Sequence, residues 1–115
     1  MITLYGIPNC GSVKKARDWL ESQNIAYEFH DFKKAGFDKD TITGWMRHVS
    51  WEVLVNKKGT TWRGLPDAAK ASVTTASGAT QLMMANPSVI KRPVLCKGKT
   101  VLVGFDPDSY EEHLC

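Results

Sequence analysis

The sequence has no Cys-x-x-Cys pair, no block of basic residues and no long apolar run, and each absence excludes a class of protein. Its three cysteines, Cys10, Cys96 and Cys115, are odd in number and widely spaced. That pattern gives no disulfide framework and suits a reducing cytosol better than secretion. His30, His48 and His113 lack partners at ligand spacing, so no metal site is expected. The opening Met-Ile-Thr-Leu-Tyr-Gly has no basic region, apolar stretch or small-residue cleavage site, so no signal peptide is expected and the chain reads as cytoplasmic. The longest uncharged stretch, Ala71 to Ile90, is rich in Thr, Ser, Asn and Gln and contains Pro87. Such a stretch does not span a membrane. The net charge of +3 is modest, and the basic pairs Lys14-Lys15, Lys33-Lys34, Lys57-Lys58 and Lys91-Arg92 are scattered. They mark no nucleic-acid surface and read as a solvated face, the alternative being a small anion gathered by two or three of them.

What is present suffices for one folded domain. A chain of 115 residues with 43% hydrophobic residues and four tryptophans removes roughly two-thirds of its unfolded surface from water. Ile2 to Tyr5 is a short apolar run closed by Gly6 and Pro8, the pattern of a buried strand and a turn. After Cys10, the positions Val13, Ala16, Trp19 and Leu20 share one helical face, opposite Lys14, Lys15, Arg17 and Glu21. This helix is expected to end near Gln23-Asn24. Ala26 to Phe32 alternates with aromatic content and reads as a second strand.

The middle of the chain is helical in pattern. Ile42, Trp45, Met46 and Val49 form a stripe with Asp38 or Asp40 as N-cap. Ser50 to Val55 reads as a short helix, Lys57-Lys58-Gly59 as a break, and Leu65-Pro66-Asp67 as a helix start. Ser77 is the expected cap of a helix carrying Leu82 and Met83. Asn86-Pro87 opens a last turn with proline at its favoured first position. Two strands, Pro93 to Cys96 and Thr100 to Val103, then flank the Lys97-Gly98-Lys99 turn, and Asp106-Pro107 starts a final helix.

The order is therefore β-α-β, a helical block, then β-β-α. The first half implies parallel strands through a right-handed crossover, the last an antiparallel hairpin. Joined, they give an α/β fold: a mixed four-stranded sheet with helices on both faces, the thioredoxin-like arrangement. The whole of residues 1–115 reads as one domain, with a helical insertion over about residues 33–90.

Cys10 is the most informative residue. It sits in Pro8-Asn9-Cys10-Gly11-Ser12, between the first strand and the first turn of the first helix. Unpaired backbone N–H groups and the helix dipole favour an anion there, and Lys14 and Lys15 follow within a turn. A cysteine so placed has a lowered pKa, and the thiolate is the nucleophile. The competing reading is a small buried hydrophobe, which a Pro/Asn/Gly loop disfavours because such loops are exposed. With valine at position 13 there is no local resolving thiol. An outside thiol such as glutathione, or Cys96 or Cys115 across the fold, must then release any disulfide formed by Cys10. Arg92-Pro93 begins the third strand, and an arginine there can reach an anion through its fork of donors.

Tyr-Gly-Ile-Pro-Asn-Cys10 with Lys14-Lys15-Ala16, Gly59-Thr60-Thr61-Trp62-Arg63, Pro87-Ser88-Val89-Ile90-Lys91-Arg92-Pro93 and Val103-Gly104-Phe105 resemble, in order, the arsenate reductase-like (ArsC/Spx) family, and within it the YffB-like branch. The resemblance implies a thioredoxin-like fold with a helical insertion. It maps the family's nucleophile onto Cys10, and the arginine before its cis proline onto Arg92 and Pro93. Arsenate reductases of the family use glutathione and glutaredoxin. They surround arsenate with two further arginines, in stretches that here read Leu54-Val55-Asn56-Lys57-Lys58 and Gly104-Phe105-Asp106-Pro107. Neither contains arginine, which argues against arsenate as the substrate. Spx regulators usually carry a Cys-x-x-Cys pair that this chain lacks. Relatives in the YffB-like branch often have Asp-Thr where this chain has Gly11-Ser12, and the loss of an acidic neighbour favours the thiolate.

Together these readings point to an oxidoreductase, a glutathione-dependent thiol reductase with Cys10 as its single-thiol nucleophile. Gly11, Ser12, Lys14, Arg92 and Pro93 are expected to hold an anion or a glutathione carboxylate. Glutathione is a co-substrate, no cofactor or metal is bound, and the substrate is a small oxyanion or a disulfide. Glutaredoxin is a candidate partner; nucleic acid and membrane are not, and the protein is expected to be a monomer. The alternatives are a true glutaredoxin-coupled arsenate reductase, with Lys57 or Lys58 replacing a lost arginine, and a non-enzymatic Spx-like regulator that binds partners.

Overall fold

A computed structural model describes residues 1–36 and 38–115. The chain divides into two compact units, one formed by Met1–Gly36 and Arg92–Cys115, the other by Phe37–Lys91.

The first unit is built on β1 (Ile2–Gly6), α1 (Gly11–Ser22), β2 (Tyr27–Asp31), α2 (Phe32–Ala35), β3 (Val94–Lys97), β4 (Thr100–Val103) and α8 (Pro107–Leu114). Its four strands lie in the order β2-β1-β3-β4. β1 and β2 are parallel, with Leu4 opposite Phe29. β3 is antiparallel to β1, with Leu95 opposite Leu4, and β4 is antiparallel to β3. This is the mixed, thioredoxin-like sheet that the element order implies.

Alternation along the strands decides which side chains are buried. Ile2 and Leu4 of β1 and Leu95 of β3 point to one face, where Ala16 and Leu20 of α1 and Tyr110 of α8 complete a buried cluster. The Tyr110 ring meets Trp19 edge-on at 5.6 Å and Phe105 edge-on at 4.9 Å. Burying each large apolar side chain stabilises the fold by about 1.5–3 kcal/mol. On the opposite face Phe32 of α2 stacks against Tyr5, ring centroids 6.3 Å apart.

The second unit is helical. It contains α3 (Lys39–Met46), α4 (Trp51–Leu54), α5 (Thr60–Arg63), α6 (Asp67–Ala71), α7 (Ala76–Ala85) and a 3-10 turn, Pro87–Val89. Its buried residues include Ile42, Trp45, Leu54, Val55, Leu82, Met83, Val89 and Ile90. Among the described residues no helix is long and apolar enough to cross a membrane.

Several elements depart from the sequence expectation, each for a local reason. β2 stops at Asp31 and not at Phe32, because the Asp31 carboxylate accepts the N–H groups of Lys33 and Lys34 and so caps a helix. Lys33 and Lys34 accordingly belong to the first unit. α3 ends at Met46, leaving Val49 beyond it. α5 follows directly on Gly59, its N-cap, where only a break was expected. α7 is capped by Thr75, whose hydroxyl accepts the Gly78 N–H at 3.1 Å, while Ser77 lies inside the helix. Asp38, Ser50 and Asp106 cap α3, α4 and α8.

Candidate functional site around Cys10

Cys10 is the N-cap of α1, with extended backbone angles (φ −100°, ψ 127°). The chain leaves β1 at Gly6, turns through Pro8 and Asn9, and returns as Lys14 N–H donates to the Cys10 carbonyl at 3.0 Å. Gly6 permits this close return. A Cβ on Gly6 would lie 2.7 Å from Cγ2 of Val13 in the first turn of α1. Carbon atoms rest at about 3.5–4.0 Å, so any larger residue at position 6 forces the Val13 side chain, or the turn that carries it, to move.

The second half of the site comes from the strand on the other side of β1. Tyr5 pairs with Val94, which brings Arg92 and Pro93, just ahead of β3, to the end of β1 where the Cys10 loop begins. The Arg92-Pro93 peptide bond is cis. Pro93 is buried, and its carbonyl accepts the Gly104 N–H at 2.8 Å. Gly104 holds φ at +79°, a conformation that favours glycine, as β4 turns away toward α8.

These elements act on the thiol in opposing directions. Partial burial disfavours the thiolate, but the N–H of Val13, the Arg92 side chain and the N–H of Ser12 outweigh it, leaving the Cys10 pKa lowered. Arg92 contributes both as a hydrogen-bond donor and as a charge. No full capping hydrogen bond joins the thiol to the helix, and the N–H groups of Ser12 and Val13 act on it from the first turn. The first turn of α1 contains no acidic residue to oppose a negative sulfur.

The structure thus brings Cys10, Ser12, Arg92 and Pro93 to one end of the sheet. Gly11 and Lys14 are exposed beside the cysteine, but they are not among the groups that act on its thiol. The N–H of Val13 was missed by the sequence reading. A signal for it existed, because an N-cap side chain accepts from the second and third residues of the helix, here Ser12 and Val13, and not from the first.

The other thiols lie elsewhere. No disulfide joins any of the three cysteines. Cys96 pairs with Thr3, three residues or about 10 Å back from the end of β1 where the Cys10 loop departs. A disulfide needs Cα atoms within about 7 Å. α8 starts after Gly104, near Pro93, and runs for eight residues, about 12 Å, before Cys115.

Comparison with known proteins agrees with this architecture. A protein of solved structure called YFFB is 44% identical and superposes with a TM-score of 0.95 over all of both chains. An arsenate reductase (ArsC) related protein from Brucella melitensis is 48% identical, with a TM-score of 0.76 over 97% of this chain and 92% of that one. An uncharacterized protein of Haemophilus influenzae is 40% identical over 111 residues, which is 96% of each chain. The ArsC family model matches residues 5–113, from Tyr5 in β1 to His113 in the final helix, and the chain belongs to the ArsC family.

Proposed function

We propose that the protein is a glutathione-dependent thiol reductase that works through Cys10 alone. The observation that supports this reading most strongly is a thiol at the N-cap of α1 beside Arg92, whose side chain and the first-turn N–H groups favour its thiolate, with Cys96 three residues away along the sheet. The Cys10 thiolate attacks one sulfur of a substrate disulfide. The old S–S bond breaks, and the departing thiolate takes the electron pair and a proton from water. A first glutathione thiolate then attacks the Cys10 sulfur of the mixed disulfide, releasing the second substrate thiol and leaving glutathione on Cys10. A second glutathione attacks that glutathione sulfur, regenerating the Cys10 thiolate. One disulfide is reduced and two glutathiones are oxidised to one glutathione disulfide. Glutaredoxin can supply the last thiol in place of free glutathione.

Arg92 holds the anionic sulfur, and the N–H groups of Ser12 and Val13 share its charge. The test is turnover of a mixed disulfide between glutathione and a small thiol, in the presence of glutathione, glutathione reductase and NADPH. Wild type should consume NADPH and Cys10→Ser should not, whereas the double variant Cys96→Ser, Cys115→Ser should match wild type. Equal loss in that double variant would refute the single-thiol scheme.

A further inference from the structure

The second unit contains a cationic cleft that the thiol chemistry does not use. It has a volume of about 430 Å³ and is lined by Lys57, Lys58 and Lys91, with Glu52 and Asn56. Three ammonium groups against one carboxylate leave the lining two positive charges in excess. No ion pair among the described residues holds any of the three lysines.

The cleft is assembled from two separate segments fastened together. Val55 and Ile90 form an antiparallel bridge. On either side of it, Asn56 N–H donates to the Val89 carbonyl and Lys91 N–H to the Leu54 carbonyl, both at 2.7 Å. Leu54, Val55, Val89 and Ile90 are all buried, so the backbone under the lysines is fixed by the core. The Lys57 ammonium stands over two indole rings, 5.7 Å from Trp51 and 5.4 Å from Trp62, and their faces steady it. The Asn56 side-chain oxygen accepts the Lys58 N–H at 3.2 Å, which leaves its amide nitrogen as a further donor. The pairs Lys14-Lys15 and Lys33-Lys34 differ, because each lies along a single helix.

We infer that this cleft is a binding site for a small phosphate-bearing polyanion. A cleft lined by one sign of charge concentrates counter-ions of the other. Lysine acts on a phosphate oxygen as a point charge, and three such charges around one cleft match a compact group with several charged oxygens better than a single carboxylate. A cavity of this size lies within the range that small ligands occupy. The inference stands apart from the reading of Cys10.

The probe is pyrophosphate, titrated into the full chain at fixed ionic strength while the indole N–H signals are followed by NMR. The Trp51 and Trp62 signals should move saturably, and those of Trp19 and Trp45 should not. Lys58→Gln and Lys91→Gln should each weaken binding by about fivefold, while Lys97→Gln, in the β3–β4 turn, and Cys10→Ser should bind as wild type. Shifts that never saturate, or that sodium chloride reproduces, would overturn the inference. So would equal weakening by Lys97→Gln. Loss of binding in Cys10→Ser would place the anion at the thiol and also overturn it.

Discussion

Arg92 bears on the Cys10 thiol from the residue joined by a cis bond to Pro93. The cation that favours the thiolate therefore belongs to the approach to β3, while the N–H groups that favour it belong to the first turn of α1. Two elements far apart in sequence meet at one sulfur, and several predictions can be drawn from that convergence and its supports.

Because the Cys10 pKa is lowered, its alkylation by iodoacetamide should reach its plateau at a pH below that of a free cysteine, whose pKa is about 8.5. Arg92→Ala should move the ultraviolet thiolate titration upward and Arg92→Lys should restore part of the difference, since lysine keeps the charge but not the fork. The stability linkage has a definite sign. An acid whose folded pKa is depressed adds stability in full above its unfolded pKa and loses it as pH falls through the folded value. Denaturant melts of wild type and Cys10→Ser should diverge in favour of wild type as pH rises through that window. A gap that does not change with pH would contradict the lowered pKa.

Gly6→Ala should disturb the site through packing alone. The new Cβ would meet Val13 Cγ2 at 2.7 Å, and overpacking of this kind costs about 1–3 kcal/mol. Thermal melts should show the loss, and adding Val13→Ala should recover part of it by removing the clashing methyl. No loss in the single variant would mean that the first turn of α1 gives way freely.

Tyr110 is buried, and its hydroxyl has no hydrogen-bond partner among the described residues. Burial raises its pKa well above the usual phenol value. Removing an unsatisfied hydroxyl from a core should leave stability unchanged or raise it, so Tyr110→Phe should lie within about 1 kcal/mol of wild type or above it. Tyr110→Ala, which also removes the ring from Trp19 and Phe105, should cost about 3–5 kcal/mol. Denaturant unfolding distinguishes the two, and a Phe variant as damaged as the Ala variant would contradict this account of the hydroxyl.

How far the sequence carries depends on whether the signal is periodic or local. The four strands and α1 were legible because the apolar run Ile2–Tyr5, the alternation after Ala26 and the spacing of Val13, Ala16 and Leu20 reflect burial against one core. Asp106-Pro107 and Asp38 announced their helices through capping chemistry. The errors fall where one residue serves two patterns. Asp31 reads as one more member of an alternating strand, yet its carboxylate turns Phe32 into the start of a helix. Gly59 reads as a breaker and in fact opens α5. Thr75 and Ser77 are both competent caps, and only the backbone selects Thr75. In the site, the cysteine was evident from its loop, but the contribution of Val13 is made by its backbone and leaves no mark in residue type.

Arsenate reduction should be feeble. Two stretches that carry arginine in the arsenate reductases this chain resembles have none here, in Leu54 to Lys58 and Gly104 to Pro107. Each charge-assisted hydrogen bond contributes about 1.5–3 kcal/mol, so losing two weakens arsenate binding by at least about a hundredfold. Assays with glutathione and glutaredoxin should find little arsenate turnover at micromolar substrate. Efficient turnover there would favour the arsenate reductase reading.

The central claim is that Cys10 forms a disulfide with an outside thiol and none within the chain. The direct measurement is peptide mapping by mass spectrometry after treatment of the native protein with glutathione disulfide. The account predicts one glutathione on the Cys10 peptide, removed by added glutathione and absent from Cys10→Ser. A disulfide linking Cys10 to Cys96 or to Cys115 would contradict it.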